Sequence, residues 1–509
     1  MVKNIVILIG FVFVVFFPCL KAGLINLDDG GHIVGNSAVQ DLSFSSIKQA
    51  FTQTVNRTYI PLTTLSFSIE KHFFGFNDFV FHLDNLLIYI GVVILLLLLA
   101  KRMGLSLGAS FLAALIFAIH PMRVETVAWV TERKDVLYSL FYLLALHQYW
   151  SYLKTLSKKY YFATMFLGFL SILAKPMALS LPLILLVFDW FYGRSLNKRV
   201  LIEKAPIFLY AIGIAWITYA LNMRNHVGII LHKGLLIWAW SFGFYLWKFL
   251  FPIQFSPYYV LPHPINLFNW SYLLSVIFLG GLAVLLVRFR RNKWFIFAFL
   301  YFFCSIFFLL RFDEKDFNVV ADRFMYLPSL GICFFIGYWV DRRIKTRRAR
   351  IIFYLFLVLL GVRTNLQCQI WHDSIAFWGT VIQEHPNYYR AYHNRGVAYF
   401  QQERDTLALN DFNRAIALDP KSMKTYNNRG IIYCLRKEDA KSLADFNKAI
   451  SLDPTFSSPY LNRSLLEEAQ EKYHQALEDA LYAKKLGAVV SDAYIKLLQQ
   501  SIKTGSPAL

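Results

Sequence analysis

Long apolar runs recur through the first 366 residues and constrain the fold more than any other feature of the sequence. A helix needs about 20 predominantly apolar residues to cross the hydrocarbon core of a bilayer. Only helices and closed barrels satisfy every backbone polar group in lipid. This part of the chain is therefore predicted to be an all-α, polytopic membrane domain of about eleven spans. The predicted spans are residues 4–20, 83–100, 105–120, 136–152, 160–174, 177–192, 205–221, 272–287, 294–311, 327–340 and 351–366.

Basic residues indicate how these spans are oriented. Lys and Arg concentrate in short polar breaks such as 193–204 and 288–293, which is the pattern of cytoplasmic loops. These two loops lie on the same side only if the apolar segment between them, 235–251, does not cross the membrane. We therefore interpret 235–251 as a re-entrant or interfacial helix that ends at Pro252. The protein is then predicted to lie in the inner (plasma) membrane. Its N-terminus is predicted to be cytoplasmic, and its C-terminal part is predicted to lie outside the cytoplasm.

The formal net charge of +20 follows from the same basic loops and indicates no nucleic-acid partner. Residues 1–22 also fit a cleaved signal peptide, but we predict that they remain as the first span. The loop at 21–82 mixes polar stretches with Phe and Leu, so it is predicted to form helices on the outer membrane surface. Residues 1–366 are thus predicted to form one membrane domain.

A 34-residue period begins after residue 367. Tyr392, Tyr426 and Tyr460 recur at this spacing, and each is followed two residues later by Asn-Arg and a small residue. This period, with its Ala, aromatic and Pro positions, is typical of tetratricopeptide repeats, which are stacked pairs of antiparallel helices. Residues 367–509 are therefore predicted to form a helical solenoid. Its predicted parts are a partial repeat at 371–388, repeats at 389–422, 423–456 and 457–490, and a C-terminal cap.

Three asparagines occupy one equivalent position of the repeats: Asn394, Asn428 and Asn462. A carboxamide can both donate to and accept from a peptide backbone. The three together could hold an extended protein or peptide acceptor without selecting its side chains. The alternative is that Asn at this position belongs only to the repeat consensus, and the sequence leaves both interpretations open.

Acidic and basic residues are mixed at the predicted outer membrane face. Asp28 and Asp29 follow the first span, a dense charged segment occupies 120–135, Lys175 follows the fifth span, and Arg323 precedes the tenth. Ionisable groups at a bilayer boundary indicate a functional site. Any one of them could equally be a loop residue that extends to the lipid headgroups. The concentration of both signs on one face favours a functional site.

These segments carry a family resemblance. The chain resembles bacterial membrane proteins with C-terminal tetratricopeptide repeats, relatives of the eukaryotic transmembrane and tetratricopeptide-repeat-containing O-mannosyltransferases. One departure is Ile60, which stands where relatives often have Arg or His. The matching segments are Tyr59–Ser66 (YIPLTTLS), His82–Leu87 (HLDNLL), Phe117–Asp135 (FAIHP through ERKD), Ala174–Met177 (AKPM) and Ala321–Pro328 (ADRFMYLP).

The resemblance implies a C-type glycosyltransferase membrane fold that takes its sugar from a polyprenyl phosphate on the outer face. It also implies that Asp28 and Asp29 lie in the active site and that Glu125 and Asp135 lie near it. One of the two aspartates would then take the proton of the acceptor hydroxyl. A single catalytic carboxylate predicts direct displacement with inversion at the anomeric carbon.

Cationic side chains would stabilise the departing phosphate, and Arg suits this role because its planar fork matches phosphate oxygens. The candidates for contacting the phosphate or lining the site are Glu125, Arg133, Asp135, Lys175, Arg323, Tyr326 and His120. No cofactor is certain. A divalent cation, Mg²⁺ or Mn²⁺, could bind Asp28, Asp29 and Glu125, although no ligand spacing argues for it.

The function predicted from these observations is transfer of a sugar, mannose by resemblance, from a membrane-embedded polyprenyl phosphate to Ser or Thr hydroxyls of exported proteins. The repeats would recruit the acceptor. One alternative keeps the donor but makes the acceptor an envelope glycan or lipid. Another is a non-catalytic membrane scaffold whose repeats dock partners of an export or assembly machine, and it does not need the carboxylates to converge.

Overall fold

The computed structural model describes residues 1–56, 58–222, 231–312 and 319–504. Every regular element in these ranges is helical, and the extended backbone includes one isolated bridge between Val55 and Thr58. The all-α prediction is therefore confirmed. The chain divides into two compact units, Met1–Asp373 and Ser374–Leu509. The predicted domain boundary lies nearby, between residues 366 and 367, and the end of the predicted cap, 505–509, lies outside the described residues.

The first unit contains sixteen α-helices within the described residues. They are α1 Val2–Phe16, α2 Phe44–Thr52, α3 Pro61–Phe74, α4 Asp78–Arg102, α5 Leu107–Ile119, α6 Val124–Ala128, α7 Arg133–Thr155, α8 Lys158–Ala174, α9 Leu181–Tyr192, α10 Lys198–Ile202, α11 Ala205–Asn222, α12 Leu231–Leu250, α13 Trp270–Arg288, α14 Lys293–Ile306, α15 Ser329–Arg343 and α16 Arg347–Cys368.

Four helical segments of the described chain are long and apolar enough to cross a bilayer. They are Val2–Lys21, Asp78–Arg102, Trp270–Arg288 and Arg347–Trp371. A fifth results if Leu107–Ile119 and Pro121–Ala128, which meet at 62°, form one bent span. The other predicted spans coincide with helices that do not meet this criterion, so the count of eleven stays a prediction. The segment 235–251 falls on α12, and its re-entrant or interfacial placement also stays a prediction.

The loop at 21–82 contains α2 and α3, and α3 is half inside the unit. Its Thr63, Phe67 and Glu70 are buried, whereas Phe73 and Phe74 at its C-terminal end are exposed. The Thr63 hydroxyl donates to the carbonyl of Ala174, at the end of α8, over 3.0 Å. One face of α3 therefore packs into the helical unit instead of lying wholly on a membrane surface.

The second unit is a row of helix pairs that matches the predicted repeats. Its helices are α17 Ser374–Glu384, α18 Tyr389–Gln401, α19 Asp405–Leu418, α20 Met423–Leu435, α21 Asp439–Leu452, α22 Ser457–Ala469, α23 Tyr473–Lys485 and α24 Asp492–Thr504. The last helix covers the end of the row, because its Leu498 packs with Tyr460, Tyr473 and Ala480 in one core cluster.

Close packing explains the small residue of the repeat motif. A Cβ added to Gly396 would lie 2.7 Å from the ring of Phe412, so a larger residue would force the helices apart. The next repeat pairs Gly430 with a Phe in the same way. The third repeat has Ser464 where the others have Gly, and Ala480 takes the place of the Phe. The smaller partner leaves room for the serine, whose hydroxyl donates to the carbonyl of Ala476.

The Arg of the same motif joins helices. In each repeat it forms a two-pronged ion pair with an Asp on the second helix, at 2.6–2.8 Å. In two repeats it also donates to an Asn on the second helix of the preceding repeat. This Arg is therefore a structural residue of the solenoid. The pairs are Arg395–Asp411, Arg429–Asp445 and Arg463–Asp479, and the additional acceptors are Asn413 and Asn447.

Candidate active site

The two aspartates that follow the first helix have different surroundings. Asp29 is buried, with 1% of its surface exposed. One of its carboxylate oxygens accepts from the backbone N–H of Ile25 at 2.7 Å. The other accepts from the Trp129 indole N–H at 2.9 Å, and from both the backbone N–H and the hydroxyl of Thr131. Burial raises the pKa of Asp29 to about 6, although these donors act in the opposite direction. Asp29 thus anchors its loop to the segment 129–131.

Asp28 is only partly buried. Within the described residues no hydrogen bond or ion pair engages its carboxylate, while its backbone carbonyl accepts from Gly31 and His32 in the following turn. Burial raises the pKa of Asp28, the charges of Lys134 and Arg323 lower it, and the net effect is an increase. Asp28 therefore presents an unengaged carboxylate in a strongly charged environment.

A network of buried ion pairs has Glu132 at its centre, and its members Lys134, Glu132 and Arg323 act electrostatically on the Asp28 carboxylate. The two carboxylate oxygens of Glu132 lie 3.0 Å from the ammonium groups of Lys134 and Lys175, and one lies 3.5 Å from Arg323. Burial alone would raise the pKa of Glu132, but the three cations together hold it well below its ordinary value. Glu132 is therefore a fixed negative charge that holds three cations in place.

Lys175 bridges two carboxylates. Besides Glu132, its ammonium contacts Asp135 at 2.7 Å. Asp135 is fully buried, and its second oxygen has no hydrogen-bond partner among the described residues. The sequence predicted both Asp135 and Lys175 near the site, and the structure places them together at its buried side.

Glu125 and Arg323 form the opposite side of the network. Glu125 accepts from the backbone N–H of Arg323 at 2.9 Å and forms an ion pair with its guanidinium group. The guanidinium carbon lies 5.6 Å from the ring of Trp129, the residue that donates to Asp29. The predicted residues Asp29, Glu125 and Arg323 are therefore joined through one shared set of contacts, and Asp28 precedes Asp29 in the chain.

Arg133 lies outside this network, and its predicted contact with phosphate stays a prediction. Its guanidinium group is fully buried, forms an ion pair with Glu70, and donates to Asn85 at 2.7 Å and to the Phe81 carbonyl at 2.8 Å. It also lies 4.3 Å from the ring of Phe67. Arg133 joins α3, α4 and α7, and the neighbouring Lys134 faces Glu132 and Trp129 instead.

His120 also has a structural position. One of its ring nitrogens lies 3.0 Å from the Phe249 carbonyl, and the other accepts from the backbone N–H of Met122. The imidazole stacks on the Phe249 ring, with 4.5 Å between the ring centroids, and is buried. These contacts join the end of α5 to α12, so His120 does not line the network.

Tyr326 is likewise a packing residue. It is fully buried against Phe117, with 5.3 Å between the ring centroids, and its hydroxyl has no hydrogen-bond partner among the described residues. Its backbone carbonyl accepts from the guanidinium group of Arg123. The site-lining role predicted for Tyr326 is therefore not supported by its contacts.

Several residues that contribute to the site were absent from the sequence prediction. They are Trp129, Thr131, Glu132 and Lys134, and all belong to the charged segment 120–135. The predicted metal ligands Asp28, Asp29 and Glu125 do not fit a resident ion, because Asp29 is occupied by donors and Glu125 by Arg323. Among the described residues no group of three or more His, Cys, Asp or Glu side chains could hold one.

Comparisons with known proteins identify relatives of both parts. The family model for the tetratricopeptide repeat matches residues 389–422. Human "Protein O-mannosyl-transferase TMTC4" is 28% identical over 227 residues, which are 39% of this chain and 31% of that protein. "Protein O-mannosyl-transferase F38B6.6" of Caenorhabditis elegans is 22% identical over 461 residues, which are 82% of this chain and 63% of that protein. The chain is similar to proteins named protein O-mannosyl-transferases.

The chain spans less than two thirds of the length of these O-mannosyl-transferases. Human TMTC1 is 32% identical over 149 residues, but these are only 17% of that protein. The predicted bacterial origin stays a prediction. A solved structure of ArnT from Cupriavidus metallidurans bound to undecaprenyl phosphate is 13% identical with a TM-score of 0.40, and covers 89% of this chain and 80% of that one. A structural similarity at this level supports no conclusion about this chain.

Proposed function

We propose that this chain is a membrane glycosyltransferase that moves mannose from a polyprenyl phosphate to Ser or Thr hydroxyls of exported proteins. The observation that carries the proposal is the environment of Asp28. Its carboxylate is unengaged within the described residues, is partly buried, and lies in the field of Lys134 and Arg323. A base and cations in one charged site are what transfer from a phosphate leaving group requires.

Asp28 acts as the general base in this proposal. The acceptor hydroxyl oxygen attacks the anomeric carbon while Asp28 takes the hydroxyl proton. The bond between that carbon and the phosphate oxygen breaks, and the polyprenyl phosphate leaves with the bonding electrons. The reaction inverts the anomeric centre, because no second carboxylate serves as a nucleophile. A raised pKa suits Asp28 to this role, since it makes the carboxylate a stronger base.

Lys134 and Arg323 stabilise the departing phosphate. The Lys134 side chain is 10% exposed and the Arg323 side chain is 16% exposed. The Lys134 ammonium nitrogen and the Arg323 guanidinium carbon each lie 5.6 Å from the ring centroid of Trp129. Glu125 and Glu132 hold these cations in position before substrate binds, so no reorganisation is needed as charge develops. Lys134 thus takes the role that the sequence suggested for Arg133. The residues Asp29 and Glu125 are already engaged and do not fit a metal ion.

The scaffold alternative is less well supported. A scaffold does not require the loop with Asp28 and Asp29 to meet Glu125 at a network of buried charges, and taking charges out of water has a desolvation cost that their mutual attraction often does not repay. The alternative acceptors, an envelope glycan or lipid, share the donor chemistry and differ only in the product.

Mass spectrometry of exported proteins and envelope fractions from cells with and without this gene tests the proposal. Hexose on Ser or Thr that is lost with the gene is the expected result. Loss of hexose from the envelope fraction alone would favour the glycan or lipid acceptor.

We expect the repeats to lie outside the cytoplasm, as the basic loops indicate. Cys434 on α20 is partly exposed and suits thiol labelling, whereas Cys368 is buried and does not. A variant that retains only Cys434 should react with a membrane-impermeant maleimide in intact spheroplasts. In the matched control the only cysteine is introduced by Arg199→Cys, at a side chain that is 89% exposed in a predicted cytoplasmic loop. That control should react only after permeabilisation. The opposite pattern would show that the topology is inverted.

The asparagine positions of the repeats are partly engaged with one another. Asn462 donates to Asn427 at 2.8 Å, and Asn427 donates to Asn428 at 3.1 Å. These amides link α20 to α22, so Asn462 has a structural role in addition to any contact with the acceptor. We therefore test the acceptor hypothesis at Asn394 and Asn428 and treat Asn462 separately, because its amide joins the two helices.

We expect the double change Asn394→Ala and Asn428→Ala to weaken acceptor use without unfolding the repeats. Each lost backbone contact removes about 0.5–1.5 kcal/mol. Two lost contacts together remove about 1–3 kcal/mol, so the apparent KM for a protein acceptor should rise roughly 5- to 150-fold, with the donor KM unchanged. Asn462→Ala serves as the comparison and should lower the thermal stability of the repeats. An unchanged acceptor KM in the double variant would make these asparagines consensus residues only.

A further inference from the structure

Trp371 lies at the end of the first unit, in the single helical turn Gln369–Trp371 that follows α16. Its ring stacks on that of Trp129, with 5.6 Å between the ring centroids and 29° between the ring planes. Both side chains are 2% exposed. A stacked pair this well buried holds each ring in a narrow range of orientations.

The orientation of Trp129 matters because an indole has a single N–H donor. That N–H donates to Asp29 at 2.9 Å. If the Trp129 ring turned, the donor would leave the carboxylate, and the anchor of the aspartate loop would lose one of its contacts. Trp371 therefore packs against the ring that makes this hydrogen bond.

The segment Trp371–His372, called the exit segment, has a second contact with the loop that carries Asp28 and Asp29. The carbonyl of His372 accepts from the backbone N–H of Gly23 at 2.9 Å. Farther along, the backbone N–H of Ile25 donates to Asp29. The loop that carries Asp28 is thus held at Gly23 by the exit segment, and at Asp29 by Trp129, on which Trp371 is stacked.

We propose that Trp371 is a positioning residue for sugar transfer, which sets the orientation of Trp129 and through it the placement of the aspartate loop and Asp28. The inference rests on the proposed function, because it assigns a role in that reaction. Trp371 contacts no reacting atom in this account. Its effect is on kcat and on the ionisation of the base, not on donor affinity.

Four variants of the full-length protein in lipid nanodiscs test this role. Trp371→Ala removes the stack, Trp371→Leu fills most of its volume without a ring, and Trp371→Phe retains a ring. Trp150→Ala is the matched control, because Trp150 is 5% exposed and packs against Phe188 on α9, away from the charged network. Transfer from polyprenyl-phosphate mannose to a Ser/Thr peptide is measured per folded molecule.

We expect Trp371→Ala and Trp371→Leu to lower kcat at least tenfold with the donor KM within twofold of the wild type. Trp371→Phe should remain within about threefold in kcat, and Trp150→Ala should lose thermal stability but keep its kcat within twofold. The acid limb of the pH–rate profile should move in Trp371→Leu and stay in place in Trp150→Ala. If Trp371→Ala is not recovered as folded protein, Trp371→Leu decides the question.

A double variant separates positioning from general packing. Trp129→Phe removes the indole N–H and keeps a smaller aromatic ring, so combining it with Trp371→Leu should lower kcat no further than Trp371→Leu does. Fully multiplicative effects, or a kcat in Trp371→Leu within twofold of the wild type, would overturn the inference. A wild-type protein that transfers no sugar would instead refute the proposed function, and the inference would fail with it.

Discussion

Asp28→Asn should lower the rate of sugar transfer by about 10²- to 10⁴-fold, because an amide cannot take the proton of the acceptor hydroxyl. The variant should still insert into the membrane and bind donor, since the Asp28 carboxylate contributes no hydrogen bond or ion pair within the described residues. Single-turnover transfer at saturating donor measures the effect directly. Because this carboxylate makes no structural contact within the described residues, we expect the free energy of unfolding of this variant to change by about 0.5 kcal/mol or less.

Asp29→Asn is the matched control, and its expected effect is on stability. The amide replaces one acceptor oxygen by a donor that would face the N–H of Ile25 or the donors of Trp129 and Thr131. Leaving such buried groups unsatisfied costs about 1–3 kcal/mol. Near wild-type transfer by Asp28→Asn, together with a complete loss of transfer in a folded Asp29→Asn, would show that Asp29 is the base and Asp28 is not. Near wild-type transfer by both variants would favour the scaffold.

The second large effect is expected at Lys175. Lys175→Met leaves Asp135 and Glu132 without the ammonium that bridges them, and all three side chains are buried. Removing one partner of a buried ion pair costs about 3–5 kcal/mol. Thermal unfolding of the purified protein in nanodiscs should show this loss of stability. Lys154→Met is the control, because Lys154 is exposed, and its unfolding temperature should stay close to that of the wild type.

A compensating variant shows whether the effect comes from unpaired charge. Asp135→Asn combined with Lys175→Met removes one of the stranded carboxylates, so the double variant should recover part of the lost stability. Lys175→Met that unfolds at the same temperature as Lys154→Met would contradict the network described here. A double variant less stable than Lys175→Met alone would indicate that Asp135 has another partner.

The architecture could largely be predicted from the sequence, because periodicity is a local property. The 34-residue period identifies the helix pairs of the repeats, and the apolar runs locate the helices of the first unit. Contacts at long sequence separation could not be predicted in this way. His120 meets Phe249, which is 129 residues away, and no local pattern indicates that α12 returns to the end of α5.

The directions in which neighbouring side chains point could not be predicted from the sequence either. Arg133 and Lys134 are adjacent, but successive residues at the start of a helix point about 100° apart. One therefore faces Glu70 and the other Glu132, and the choice depends on where α7 begins. In the same way the sequence identifies Asp28 and Asp29 as a pair, but only the contacts of Asp29 with Trp129 and Thr131 distinguish the anchor from the candidate base.

The central claim is that Asp28 must be ionised for transfer, and the pH dependence of single-turnover transfer tests it most directly. Burial raises the pKa of Asp28 above the ordinary value of an aspartate. A base acts only when deprotonated, so the wild-type rate should fall tenfold per pH unit below that raised pKa and level off above it. The residual rate of Asp28→Asn should lack this acid limb, while Asp28→Glu should retain one. An unchanged acid limb in Asp28→Asn would show that another group is the base and would contradict the mechanism.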